Sequence, residues 1–297
     1  MGQSKLYLED HFPSPVKHTW IEFRRNHVSI IGLWIFLFFV AVIVFAPGIA
    51  PFSPTEQNTD VILLQPAWDN SGTIVHLFGT DSLGRDVLSR VIHGSRVTFG
   101  ISILIVLIAM LVGFSLGAFA GMGHGLRASV LNHLLDAIMV IPTLIIAIII
   151  VAIFGTGLTS CMWAITLSMI PKFIHLTRDL VRNACHMEYV TAARLDGASN
   201  TRILFDSILP NMIEPLVVNG TFALSVAILE LSALGFLNLG AQAPTAELGA
   251  MLSDGLEVAY IAPWNIALPG AAILLMLIAV NLVGDGLRTA LRNRLQQ

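Results

Sequence analysis

Charge is scarce in this sequence. Of its 297 residues only 12% are Asp, Glu, Lys or Arg, and 55% are apolar; a soluble domain carries about 25% charged residues. That shortage excludes an ordinary water-soluble globule and points to a membrane protein. The net charge of −3 excludes a basic nucleic-acid-binding chain. The two cysteines, Cys161 and Cys185, are too few for a disulfide framework and read as packing residues. No Gly-x-x-x-x-Gly-Lys-Ser/Thr occurs, so the chain has no phosphate-cradling loop of its own. His-Glu-x-x-His and Gly-x-Ser-x-Gly are missing too, which removes the commonest hydrolase readings. No repeat of roughly 20–50 residues is visible. Ion-coupled secondary carriers usually contain internal repeats and broken midplane helices, and no repeat is visible.

What the sequence does have is long apolar runs. A membrane-spanning helix needs about 20 mostly apolar residues. Six runs qualify: 30–46, 98–120, 134–154, 159–175, 215–237 and 265–283. Pro142 interrupts the third and Pro171 lies near the end of the fourth. Backbone in lipid must bond to itself, so the runs are expected to be helices in an all-α integral membrane fold. The first run follows 29 residues that include Glu9, Asp10 and Glu22. A signal peptide has a short basic leader and a cleavable exit; here Pro47 follows Ala46, so the run reads as an uncleaved anchor.

Lysine and arginine set orientation. With the N-terminus in the cytoplasm and strict alternation, all 16 Lys and Arg residues fall inside except Arg85, Arg90 and Arg96. Both termini are then cytoplasmic. The chain divides into a cytoplasmic tail 1–29, an anchor 30–46, an outer loop 47–97, a core 98–286 of five helices, and a cytoplasmic tail 287–297. Within the core lie a cytoplasmic loop, 176–214, and a second outer loop, 238–264. APGIAPFSP is expected to stop the first helix. In GTDSLGRDVLSRVIHGSR, Leu83, Val87, Leu88, Val91 and Ile92 share one helical face, with Arg85, Asp86, Ser89, Arg90, His93 and Arg96 around the other. That pattern predicts an amphipathic helix at the outer interface.

The cytoplasmic loop contains YVTAARLDGASNTRILFDSILPN (189–211). Ala192, Ala193 and Gly197 are small and crowd one region of a helix over 188–197, where another backbone can approach. Gly197 can take positive φ and end that helix. Ser199 or Asn200 can cap a second helix over 201–209, which Pro210 then limits. The pattern fits either a solvated amphipathic loop or a docking element for a cytoplasmic protein.

Ala192-Ala193-x-x-x-Gly197 followed by Leu209-Pro210 resembles the "EAA" loop of ATP-binding-cassette (ABC) importer permeases. Thr191 stands where that family often has Glu, and Ser207 where it often has Ile. RRNHVSIIGLWIFL at 24–37, GTDSLGRDVLSR at 79–90, LGFLNLGAQAPTAELGAMLSDGLE at 234–257, APWNIALPG at 262–270 and NLVGDGLR at 281–288 are similar to segments of dipeptide/oligopeptide/nickel permeases of the second-subunit type. HGLR at 124–127, VLNHLLDAI at 130–138 and RLDGAS at 194–199 look nearest to the Sap-type peptide branch. The resemblance implies a type I-like fold of six transmembrane helices with cytoplasmic coupling helices, multi-pass in a bacterial inner membrane. It implies peptide cargo, the alternatives being polyamine or nickel, and no catalysis in this chain. It implies as partners a second homologous permease, two cytoplasmic ATPase subunits that hold ATP and Mg, and a periplasmic substrate-binding protein. The coupling residues it implies are Glu188, Ala192, Ala193, Gly197, Ala198, Leu209 and Pro210.

Three other features stand apart. Glu230 lies inside the fifth run. An ionisable group there faces protein or a water-filled path, so it is either a translocation-path residue or an inter-helix hydrogen-bonding acid; in an ion-coupled carrier it would be the ion site. His133 and Asp136 have spacing for a shared metal, but read better as groups at the cytoplasmic mouth. Gly113, Gly117 and Gly121 mark a close helix contact, for which the partner permease is one candidate.

Overall fold

The computed structural model describes residues 15–69, 71–123, 133 and 135–295. The connection 124–132, with its HGLR segment, lies outside the described residues, as do 1–14. Among the described residues the regular structure is helical: α1 (Pro15–Arg25), α2 (His27–Ile49), α3 (Val87–Met122), α4 (Thr143–Phe154), α5 (Leu158–Ala184), α6 (Glu188–Leu195), α7 (Asn200–Phe236), α8 (Leu248–Leu256) and α9 (Trp264–Leu295). Four of these, α2, α3, α7 and α9, are each long and apolar enough to cross a membrane. The other two apolar runs behave differently. Pro142 caps α4, so the third run is cut to twelve helical residues after a turn at 140, about 18 Å at 1.5 Å per residue. α5 has the length, with 27 residues, but its second half carries Lys172, His175, Arg178, Asp179 and Arg182.

Prolines end helices later than the sequence suggests. α2 runs through Pro47 to Ile49 and stops before Pro51. Pro210 does not limit the helix from Ser199 onward. That helix continues to Phe236, with a π-helical segment, Ile203–Ile208, just ahead of Pro210. A proline removes one i→i−4 hydrogen bond and crowds the carbonyl below it; a wider π turn takes up that misfit without breaking the helix.

The core is built on α3 and α5, which run parallel side by side. Gly113 faces Phe173, Gly117 faces Ile174 and Thr177, and Gly121 faces Val181. A Cβ on these glycines would lie 2.3 Å, 2.6 Å and 2.8 Å from the nearest α5 atoms. The small-residue stripe is therefore filled from within the chain, by α5, and not by another subunit. Phe99, Ile105, Ile165, Ile228 and Leu231 fill the main cluster. A second cluster of Val181, Val190, Ile203, Ile208 and Met212 sits at the end of the bundle where α6 lies. Cys161 and Cys185 are buried free thiols in these two separate clusters, as expected of packing residues.

Candidate functional site

At the α6 end the sequence divides its small residues between two jobs. Val190 is fully buried and, with half-buried Ala193 and Ala198, anchors α6 to Val181, Ile203 and Ile208. On the other side Glu188, Tyr189, Ala192 and Leu195 are exposed; Leu195 is 84% exposed. Gly197 ends the helix at φ +78°, where only glycine sits without strain. Its N–H donates to the Arg194 carbonyl at 3.0 Å, and the Ala198 N–H to the Ala193 carbonyl at 3.0 Å. A Cβ at Gly197 would meet nothing within 4 Å. Within this chain, then, backbone conformation requires the glycine and packing does not; its surroundings are open. The Ser199 hydroxyl accepts from the Arg202 N–H and begins α7. Leu209 is half-buried and Pro210 exposed at the foot of α7. The residues singled out in the sequence thus form one helix–turn surface, Glu188 to Ala198, with Leu209 and Pro210 behind it, and exposed Phe205 adds to the apolar area.

The opposite end departs from expectation. GTDSLGRD is not an amphipathic helix lying in the interface. It is a turn leading into α3, whose first residue is Val87 and whose cap is Asp86. Arg85, Asp86, Ser89 and Arg90 are all under 5% exposed, while apolar Leu83 is 44% exposed. The polar face turned inward because the loop 50–86 and α8 supply partners. Asp81 Oδ2 accepts from Arg85 Nε at 2.6 Å and lies 3.4 Å from Arg90 Nε. Asp254 of α8 lies 3.6 Å and 3.7 Å from the two guanidinium groups. Asp86 caps α3 through the Ser89 N–H and also bonds His76 Nδ1 at 3.0 Å. Two buried cations thus meet two carboxylates, which is what buried charges require.

Sequence reasoning missed Glu247. It is fully buried, accepts from Thr98 Oγ1 at 2.9 Å, and caps α8 through the N–H groups of Gly249 and Ala250. Burial pushes its carboxyl above the usual carboxylate range, against those three hydrogen bonds. An acidic residue just before the apolar run LGAML is a recognisable cap signal. The Thr98 partner is 149 positions away and left no local trace.

Glu230 is 6% exposed, and its Oε1 accepts from the hydroxyl of Thr143, the first residue of α4. It ties the start of α4 to the last two turns of α7. Asp136 faces His175 Nε2 of α5 at 3.6 Å; no group of three metal-ligating side chains gathers among the described residues.

Known proteins match this chain along nearly its whole length. The family described as "binding-protein-dependent transport system inner membrane component" matches residues 113–297. The chain belongs to that family. A second profile, the "N-terminal TM domain of oligopeptide transport permease C", matches residues 14–67 of the permease. The peptide transport system permease protein SapC of Escherichia coli O6:H1 is 43% identical over 98% of both chains. The dipeptide transport system permease protein DppC of Haemophilus influenzae is 42% identical over 96% of both. Among solved structures, an inward-facing MetNI methionine ABC transporter chain aligns with a TM-score of 0.54 and 16% identity. That alignment covers 68% of this permease and 97% of the other chain, and it supports the fold alone. The chain is thus an inner-membrane, multi-pass permease subunit of a transport system. These relatives do not favour the polyamine, nickel or ion-coupled alternatives.

Proposed function

We propose that this permease forms one half of the membrane pathway of an ATP-driven importer of peptides. Its relatives named for peptide and dipeptide transport support the cargo class. In this reading the pathway half has six spans: α2, α3, the broken segment 133–154, α5, α7 and α9, with both termini in the cytoplasm. A second homologous permease completes the pathway, and a periplasmic binding protein delivers peptide to the end built by loop 50–86 and α8. ATP and Mg belong to two cytoplasmic ATPase subunits, and no covalent chemistry occurs in this chain.

The observation that carries the coupling role is the surface of α6. Its inner face is fixed by Val190 and Ala193, while Tyr189, Ala192 and Leu195 stand exposed beside a glycine turn in open space. A short helix rigidly held on one side and apolar on the other is suited to sit in a groove of another protein. ATP-driven closure of the ATPase pair would push α6, and the buried cluster beneath it would pass the motion to α5 and α7. Glu188, Ala192 and Gly197 face the groove, Ala193 and Ala198 pack the surface onto the bundle, and Leu209 and Pro210 belong to the coupling set at the foot of α7.

Co-purification tests this. Tagged wild-type chain should retain the ATPase subunits, and Leu195→Asp or Ala192→Trp should lose them while still reaching the membrane. Undiminished ATPase binding in both variants, or peptide uptake that needs no ATP, would overturn the reading.

A further inference from the structure

Charged and amide side chains of α5 and α7 converge on one cavity. It lies between the second half of α5 and the middle of α7 and measures about 390 Å³, within the size range of small-ligand pockets, about 300–1,000 Å³. Met169, Phe173 and Phe222 form an apolar wall. Lys172, Asp179, Asn183 and Asn219 form a polar one. Lys172 stands four turns along α5 from Leu158, about 21 Å at 1.5 Å per residue. With a hydrocarbon core of about 30 Å, and with α5 entering the membrane at its first residue as in the six-span reading above, the cavity falls in the inner third of the membrane. A lysine at such depth turns to protein or to a water-filled path, and here it lines the cavity. Among the described residues Lys172 forms no salt bridge, though its charge reaches the buried Glu230 carboxyl of α7. Asp179 lies 3.3 Å from His175 Nδ1 and 3.7 Å from Arg178 Nη1, and Asp136 approaches the other side of His175. Glu230 is not among the lining residues.

We infer that this cavity is a cargo site in the inner half of the pathway, and that it takes a short peptide with free termini. The inference rests on the peptide reading above and adds to it a place and a selection rule. Lys172 receives the C-terminal carboxylate. Asp179, with Asp136 behind His175, receives the N-terminal ammonium. The apolar wall takes a side chain. Lys172 and Asp179 are two turns apart on one face of α5, about 10.5 Å along the axis. An extended peptide advances about 3.3–3.6 Å per residue, so a tripeptide matches the separation.

The test uses the whole complex, reconstituted in vesicles with its binding protein. Labelled trialanine uptake is competed with unlabelled trialanine, its C-terminal amide and its N-acetyl form. The binding protein is common to every arm, so its own selectivity cancels when a variant's ratio is divided by the wild-type ratio. Lys172→Gln should shrink the preference for free acid over amide by about tenfold, as expected for loss of one hydrogen bond between charged groups. Lys172→Arg should keep it. Asp179→Asn should shrink the preference for a free amine over the N-acetyl form. Independently, the Ala223→Cys variant, altered on the cavity wall, should react with a water-soluble maleimide and be protected by trialanine. Unchanged ratios in Lys172→Gln and Asp179→Asn would overturn the inference. So would an introduced thiol at position 223 that never reacts, which means a helix of the partner fills the cavity, or one that trialanine does not protect. If the wild-type complex takes up no peptide at all, the peptide reading itself falls, and this inference with it.

Discussion

Gly117→Ala tests the packing that everything else hangs on. The new Cβ would lie 2.6 Å from the Ile174 carbonyl oxygen and 2.7 Å from Thr177 Cβ, where ordinary contact begins at 3.4 Å. One of those atoms is backbone, so a rotamer change on α5 cannot relieve it. The helices must part by about 0.8 Å, a gap that forfeits a quarter to a half of each dispersion contact along the seam. Overpacking of this kind costs about 1–3 kcal/mol. Against it stands a helix-propensity gain of about 1 kcal/mol for alanine over glycine. The contacts at Gly113 and Gly121 are similarly tight and open with it, which puts the cost in the upper half of that range and the net loss at about 1–2 kcal/mol. For a chain this size that lowers the Tm by a few degrees. Gly100 on the same helix is the control. A Cβ there would meet nothing closer than 3.8 Å, so Gly100→Ala should leave the Tm unchanged or raise it slightly. The assay is heating of the detergent-solubilised chain, expressed without partner subunits, followed by size-exclusion of what remains soluble. A Gly117→Ala chain as stable as wild type would refute the seam. So would a loss seen only when a second permease is present.

Three further outcomes follow from the site descriptions. Arg85→Met should cost about 3 kcal/mol or more, because it leaves Asp81 without its closest buried partner; Asp254→Asn, at a half-exposed carboxylate, should cost under about 1 kcal/mol, and equal losses in the two would contradict the network. Glu247→Ala should cost about 2–4 kcal/mol, from the lost cap of α8 and a buried Thr98 hydroxyl that keeps the Leu248 N–H but has no acceptor for its own proton. Its pH dependence has a definite sign: the folded-state pKa is raised, so this group's contribution to stability improves as pH falls from the raised value towards 4.5, and thermal melts of Glu247→Gln should lack that component. Glu230→Gln should keep the hydrogen bond from Thr143 and leave stability and peptide uptake near wild type; loss of uptake with a normal Tm would place Glu230 in the path.

Much of the fold was legible because lipid is a demanding solvent. Apolar runs of sufficient length have few alternatives to helix, and four of the six runs became long apolar helices. The family signature was legible for a similar reason: Gly197 carries a backbone requirement, and that is local. What hid from the sequence was identity of contact. Gly113, Gly117 and Gly121 announce a close approach without naming the helix that approaches. Arg85 and Arg90 fall on the polar side of a helical wheel whether that side meets water or the buried carboxylate of Asp81. Glu247 binds a threonine far off in sequence. Pro210 looked like a stop because a proline cannot continue a regular α-helix, and the π segment that lets it continue is invisible to local rules. Lys172 escaped notice because a charge near the end of an apolar run also marks the edge of a span.

The most direct test of the coupling role is a photo-cross-linker at Leu195 in the assembled complex. An adduct with an ATPase subunit is expected from Leu195, 84% exposed beside the Gly197 turn, and none from Tyr260, fully exposed in the 238–264 loop. A transport-competent complex that gives no ATPase adduct at Leu195, or gives one at Tyr260, would contradict that role.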